Sequence, residues 1–184
     1  MKPWIFLPGD LDIVEFAPSF ASGHPEEGEL KPFLVHFAGT ELADFFDIWL
    51  AQVREGQSLP TKRDMGPHRL RRHLGYVGVT ELLDDRSEVV LRLAGTALTE
   101  YIGREVAGRT INDVFQRPAD FIERLWLPLF CEARPRYDAG NLAKMGKAHI
   151  IYRALHLPIV DGEGKVRFSI FRAIVSMDGG GSWK

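Results

Sequence analysis

Apolar positions along the chain follow two periods. Leu42, Phe45, Phe46, Trp49, Leu50 and Val53 recur at i, i+3, i+4, i+7, i+8 and i+11, the stripe of an amphipathic helix. Thr40 stands before them as an N-cap, and Glu41 and Asp44 put negative charge at the positive end of the helix dipole. The spacing therefore predicts a helix over 40–55. After residue 75 the period shortens to two. Residues 75–82 read as a strand, and Val89, Leu91 and Leu93 alternate with Glu88, Val90 and Arg92 as a second strand with one buried face. The turn at 84–87 makes the pair a hairpin.

Helical spacing returns at once. Thr96 is read as an N-cap, Leu98, Tyr101 and Ile102 follow at helical intervals, and Gly103 stops the helix. Gly108 supplies a turn, and Thr110 with Asp113 forms a capping box before Val114 and Phe115. Residues 119–131 form a further helix on Phe121, Ile122, Leu125, Trp126, Leu129 and Phe130, which Pro128 bends or restarts. A short helix is expected at 68–74. Strands follow at 136–142, 149–160 and 167–177, the last two joined by the Asp161-Gly-Glu-Gly-Lys165 turn. This order of elements predicts an α+β fold: a five-stranded antiparallel sheet with short helices on one face and an N-terminal helix.

Residues 1–38 mix five prolines with Trp4, Phe6, Phe16, Phe20, Phe33 and Phe37. Linkers seldom carry so many rings, so this stretch is read as an irregular arm or a short strand that docks on the body or on a second subunit, with a disordered centre at 22–28. The domain proper then spans 39–177, and 178–184, with three consecutive glycines, is a flexible tail.

Two groups of residues carry a family resemblance. Arg92-Leu-Ala-Gly-Thr96, Gly103-Arg104-Glu105 and Ala107-Gly-Arg109 form one; Leu59-Pro-Thr-Lys-Arg-Asp64-Met-Gly-Pro67 forms the other. Together they resemble the stand-alone PAS-like domains of alphaproteobacteria over about residues 42–176. The resemblance departs at Gly66, where the family tends to an acid, and at Ala107, where it has Thr. It implies a PAS fold and a non-enzymatic sensory or protein-interaction domain in bacterial signal transduction. A small apolar or amphipathic metabolite would bind between the sheet's inner face and the short helices. The residues of this chain that should border that space are Leu91, Leu93, Leu98, Tyr101, Ile102, Phe115, Phe121, Leu125, Trp126 and Tyr152, which fill it as core or line it as a pocket. Arg92, Tyr101, Tyr152, Arg153 and Arg172 are the polar groups that could orient a ligand. The three arginines are more simply an exposed outer-face row paired with Glu88 or Asp138. The helix at 40–55 packs on the core or on a twin, with Leu42, Phe45, Phe46, Trp49 and Val53 as the homodimer contact. The sequence shows no effector domain, so output is expected to pass to a separate downstream signalling protein.

Composition narrows the alternatives. A formal charge of −2 lacks the basic footprint of a nucleic-acid binder, and the cluster Arg63, His68, Arg69, Arg71, Arg72 and His73 reads as a solvated helix face. Cys131 is the one cysteine, which excludes an internal disulfide and fits a buried, inert thiol in a cytoplasmic protein. No window reaches a membrane span of about 20 apolar residues. His149 and His156 lie an odd number of residues apart on one strand and point to opposite faces. Neither a metal site nor a cofactor is expected: Cys131 lacks the neighbours of a flavin-reactive cysteine, and the helix at 119–131 has no histidine for haem. Two alternatives to a sensor remain. One is a cone-shaped isomerase or dehydratase with a buried acid, Asp113 or Asp120; the other is a scaffold dimer with a filled core.

Overall fold

The computed structural model describes residues 11–53, 59–83, 88–115 and 122–177. Their elements run β1 (Leu11–Phe16), α1 (Glu27–Leu34), α2 (Glu41–Leu50), β2 (Val77–Leu82), β3 (Val89–Ala94), α3 (Thr96–Ile102) and α4 (Ile111–Phe115). A wide π-helical turn (Ile122–Trp126) then runs into α5 (Leu127–Cys131), followed by β4 (Arg136–Leu142), β5 (Lys147–Val160) and β6 (Val166–Ser176). One antiparallel sheet has the order β1-β4-β5-β6-β2-β3. Its five strands β2–β6 are the predicted sheet. The sixth, β1, comes from the stretch read as an arm and extends the β4 edge. That same stretch forms α1, which begins inside the segment expected to be disordered. Among the described residues no helix is long and apolar enough to cross a membrane.

Helices cover both faces of the sheet, which is why β5 and β6 carry the near-continuous apolar runs ALHLPIV and FSIFRAIV rather than a clean alternation. On one face α1 and α2 pack against Leu155, Leu157, Ile159, Ile170 and Ile174. Trp49 anchors this layer: its Nε1–H donates to the Pro158 carbonyl at 3.0 Å, and Phe20 meets it edge-on at 5.0 Å. Phe33 and Phe37 complete an aromatic cluster with Phe46. Leu42, Phe45, Phe46 and Trp49 are at most 1% exposed, and Val53 packs half-buried on the same core. The stripe offered to a second copy is therefore covered from within the chain, because α1 and the segment before it supply the apolar surface.

The N-terminus of α2 is tied to the sheet by charge. Thr40 caps it as predicted, Oγ1 accepting from the Leu42 N–H at 3.2 Å. Arg172, on β6, is 1% exposed and donates to Glu41. It is thus no member of an exposed row, since α2 covers that face. His73 is buried and bonds Asp44 through Nε2 at 2.9 Å, while Arg72 pairs with Asp44 from outside. Burial and the neighbouring Arg172 hold the His73 pKa below the usual imidazole value. The expected helix at 68–74 is a series of turns ending in a 3-10 turn, Leu74–Tyr76.

Further differences have local causes. Gly95, not Thr96, occupies the N-cap position of α3; a Cβ there would lie 2.4 Å from the carbonyl oxygens of Leu74 and Gly75, so close backbone contact fixes the glycine. Gly103 ends α3 in the left-handed region as expected, at φ 86°. Thr110 Oγ1 accepts from the Asp113 N–H at 3.1 Å, which is half of the predicted box. Cys131 is exposed rather than buried, because Leu129 and Phe130 take the inward positions at the end of α5. The turn at 84–87, residues 119–121 and the tail at 178–184 lie outside the described residues.

Candidate functional site

The opposite face of the sheet is covered by short helices, and they do not fill the space beneath them. A cavity of about 110 Å³ lies between α3, α4, the 122–131 helices and strands β2–β6. One water needs roughly 10–15 Å³ on the same measure, so the cavity is large enough for a small organic molecule. Leu98, Tyr101, Ile102, Phe115, Leu125 and Trp126 wall it from the helices, and Leu91 and Tyr152 from the sheet. Ala154 and Ala173, small residues on adjacent strands, set the depth of its floor. Phe121 lies outside the described residues.

Leu93 is not in the wall but 48% exposed. A bulge explains this. Val79 pairs with Leu93 and Thr80 with Leu91, so β3 spends one residue more than β2 across that step. Arg92 is the extra residue, the period of two breaks there, and Leu93 turns to the other side from Leu91. Arg92 and Arg167 both bond Glu81 and hold its carboxyl below the usual range against the effect of burial. Neither Arg92, Arg153 nor Arg172 lines the cavity.

The polar wall comes instead from Arg136, Asp138 and His156. Arg136 and Asp138 are two apart on β4 and so share a face, and His156 stands opposite Arg136 in the β4–β5 register. All three are at most 6% exposed. Asp138 Oδ1 accepts from Arg136 Nε at 3.1 Å and from His156 Nε2 at 3.1 Å. The Arg136 Nη1–H donates to the Leu125 carbonyl at 2.6 Å, and its guanidinium lies 4.2 Å from the Trp126 ring centre. That carbonyl belongs to the wide π-helical turn, a feature that Pro128 favours by lacking the N–H an α-helical ladder would use. His156 stacks on Phe171 at 5.0 Å and meets Trp126 edge-on at 5.3 Å.

The ionisation states follow from this packing. Burial alone would raise the Asp138 pKa, but Arg136 and His156 outweigh it and keep the carboxyl below its usual value. Burial and Arg136 push His156 down to about 4, with Asp138 opposing. Near neutral pH the cluster is therefore a cation, an anion and a neutral imidazole whose Nε2–H points at Asp138. Near neutral pH both the carboxylate and the imidazole are weak bases, so the arrangement orients groups better than it moves protons. Of the acids considered for an isomerase, Asp113 lies at the start of α4 and is not in the wall, and Asp120 lies outside the described residues. Among the described residues no group of three or more His, Cys, Asp or Glu could hold a metal ion.

Sequence reasoning reached eight of the wall residues from the resemblance and missed the ionic cluster. The available signal was Arg136-x-Asp138 on one predicted strand, opposite charges two residues apart and so on one face. No curated protein and no solved structure matches the chain. A family model for the PAS domain matches residues 36–129, just over half of the 184, running from before α2 to the middle of α5. With that match, a five-stranded antiparallel core and short helices over one face, the chain belongs to the PAS domain family.

Proposed function

We propose that the chain is a sensory PAS domain that binds a small, mainly apolar molecule in this cavity and passes its occupancy to a separate signalling protein in the cytoplasm. PAS domains are in general non-enzymatic sensory modules that often mediate protein interactions and dimerise. The observation that carries the ligand reading is the cavity itself, since interiors normally pack with few voids larger than a water. A scaffold with a filled core would have none.

The sheet offers a mechanical route. On β6, Phe171, Ala173 and Val175 line the cavity, while Arg172 and Ile174 point to the α2 face, where Arg172 holds Glu41. A ligand that prefers one arrangement of Phe171 and Ala173 shifts the population of that arrangement, and β6 carries the shift to the α2 N-terminus. A homodimer would use surface other than the covered α2 stripe. The test is native mass spectrometry of protein purified from its own host, followed by denaturing extraction. A stoichiometric small molecule is expected, absent from Ala154→Leu; a bare mass under all growth conditions overturns the proposal.

A further inference from the structure

The wall of the cavity holds two buried polar atoms that no group among the described residues satisfies: His156 Nδ1 and Trp126 Nε1. The two rings touch, edge to face at 5.3 Å, and the residues are 6% and 3% exposed. Since the His156 Nε2 side faces Asp138 at 3.1 Å, Nδ1 of the neutral ring is an acceptor, and indole Nε1–H is only a donor. Buried polar groups are ordinarily bonded, and each orphan costs what its desolvation costs. Here a donor and an acceptor are orphaned on two touching rings of the wall, whose charged members, Arg136 and Asp138, are engaged with each other.

Charge limits what can satisfy them. Asp138 already neutralises Arg136 at 3.1 Å, so the wall has no net charge to offer. A charged ligand would bury an ion without a compensating partner, and buried ions are tolerated only when paired. Size limits the rest: apolar cavities of about 150 Å³ take benzene, and this one is about 110 Å³.

The geometry points to a neutral ligand of about benzene size, a small alcohol or phenol, whose single hydroxyl donates to His156 Nδ1 and accepts from Trp126 Nε1–H while its hydrocarbon body lies against Leu98, Tyr152 and Phe171. This rests on the cavity being a ligand site, as proposed above. The hydroxyl is the one small group that both donates and accepts, and it matches the orphaned pair.

The test uses the full chain and four probes of matched size: phenol, toluene, benzoate and benzylammonium. In calorimetric titrations phenol is expected to bind about tenfold or more tighter than toluene, as one well-placed hydroxyl warrants, and the two ions not at all. In nitrogen-labelled protein the Trp126 indole N–H resonance is expected to move with phenol and hold with toluene. Trp126→Phe should bring the phenol preference close to parity while toluene affinity changes by less than about threefold, since the ring wall remains. Toluene binding as tightly as phenol, or a charged probe binding best, overturns the hydroxyl assignment and leaves the cavity a ligand site. Binding by none of the four contradicts both. The indole resonance is read in the unsubstituted chain, so a Trp126→Phe protein that fails to fold does not remove the test.

Discussion

The two faces of the sheet are built from the same strands and end in opposite states. Beneath α1 and α2, aromatic rings from three segments interlock, and Trp49 is fully buried with its indole bonded. Beneath α3–α5 the helices are short, one turn is wound wide, and the strands present alanines and a buried ionic cluster to a cavity. The difference follows from helix length and side-chain size. A ten-residue helix with four large inward residues closes its face; helices of five and seven residues joined by turns span theirs without filling it. One layer holds the fold together, and the other can respond to what it encloses.

Truncation should expose that contrast most strongly. Trp49→Ala on the filled face removes a ring, a hydrogen bond and the contacts of Phe20 and Phe46, and is expected to cost about 3–5 kcal/mol in urea unfolding. Asp138→Ala on the other face should cost a similar amount, about 3–5 kcal/mol, for a different reason: the buried Arg136 loses the Asp138 carboxylate. A cost below about 1 kcal/mol for Asp138→Ala would show that Arg136 reaches water and that the cluster is not closed.

Acid should act through the cavity face. His156 titrates at about 4 when folded and near 6.5 when unfolded, so the unfolded chain takes up the proton first. Stability is full above about pH 6.5 and falls by on the order of 3 kcal/mol as pH drops toward 4. The depressed Asp138 carboxyl extends the loss as pH falls below its unfolded value of about 3.9. His73 is shifted in the same direction, so the assignment needs a pair of variants. His156→Phe should flatten most of the slope between pH 6.5 and 4 in urea titrations, and His73→Phe less of it.

The same added carbons should weigh differently on the two faces. Ala139→Leu overfills a packed layer and is expected to cost about 1–3 kcal/mol, whereas Ala154→Leu enters the cavity and should cost less than about 1 kcal/mol. Equal costs in thermal or urea unfolding would mean that the cavity closes on itself in solution.

How far the sequence reveals this molecule depends on whether local pattern or tertiary pairing decides. The α2 stripe and its Thr40 cap, the αL glycine at Gly103, and the span of β4 are all local and are read correctly from spacing and residue type. What covers α2 is not local: α1 and β1 arise in a proline-rich stretch whose rings matter only once they meet Trp49 and Phe46. The bulge at Arg92 likewise depends on the register with β2, so Leu93 looks identical to Leu91 in sequence and ends on the other side. For the site, the apolar wall is readable from the PAS resemblance, while Arg136, Asp138 and His156 become a cluster only through the β4–β5 register. Arg172 shows the converse: its alternation on β6 gives the face, but only the docking of α2 makes that face an interior.

The most direct test of the contrast between the faces is a crystal structure under xenon pressure. The account predicts one strongly occupied xenon site among Leu98, Trp126, Tyr152, Ala154 and Phe171, and none between the sheet and α2. A crystal with no xenon at that position, or with xenon seated beneath Trp49 instead, would contradict it.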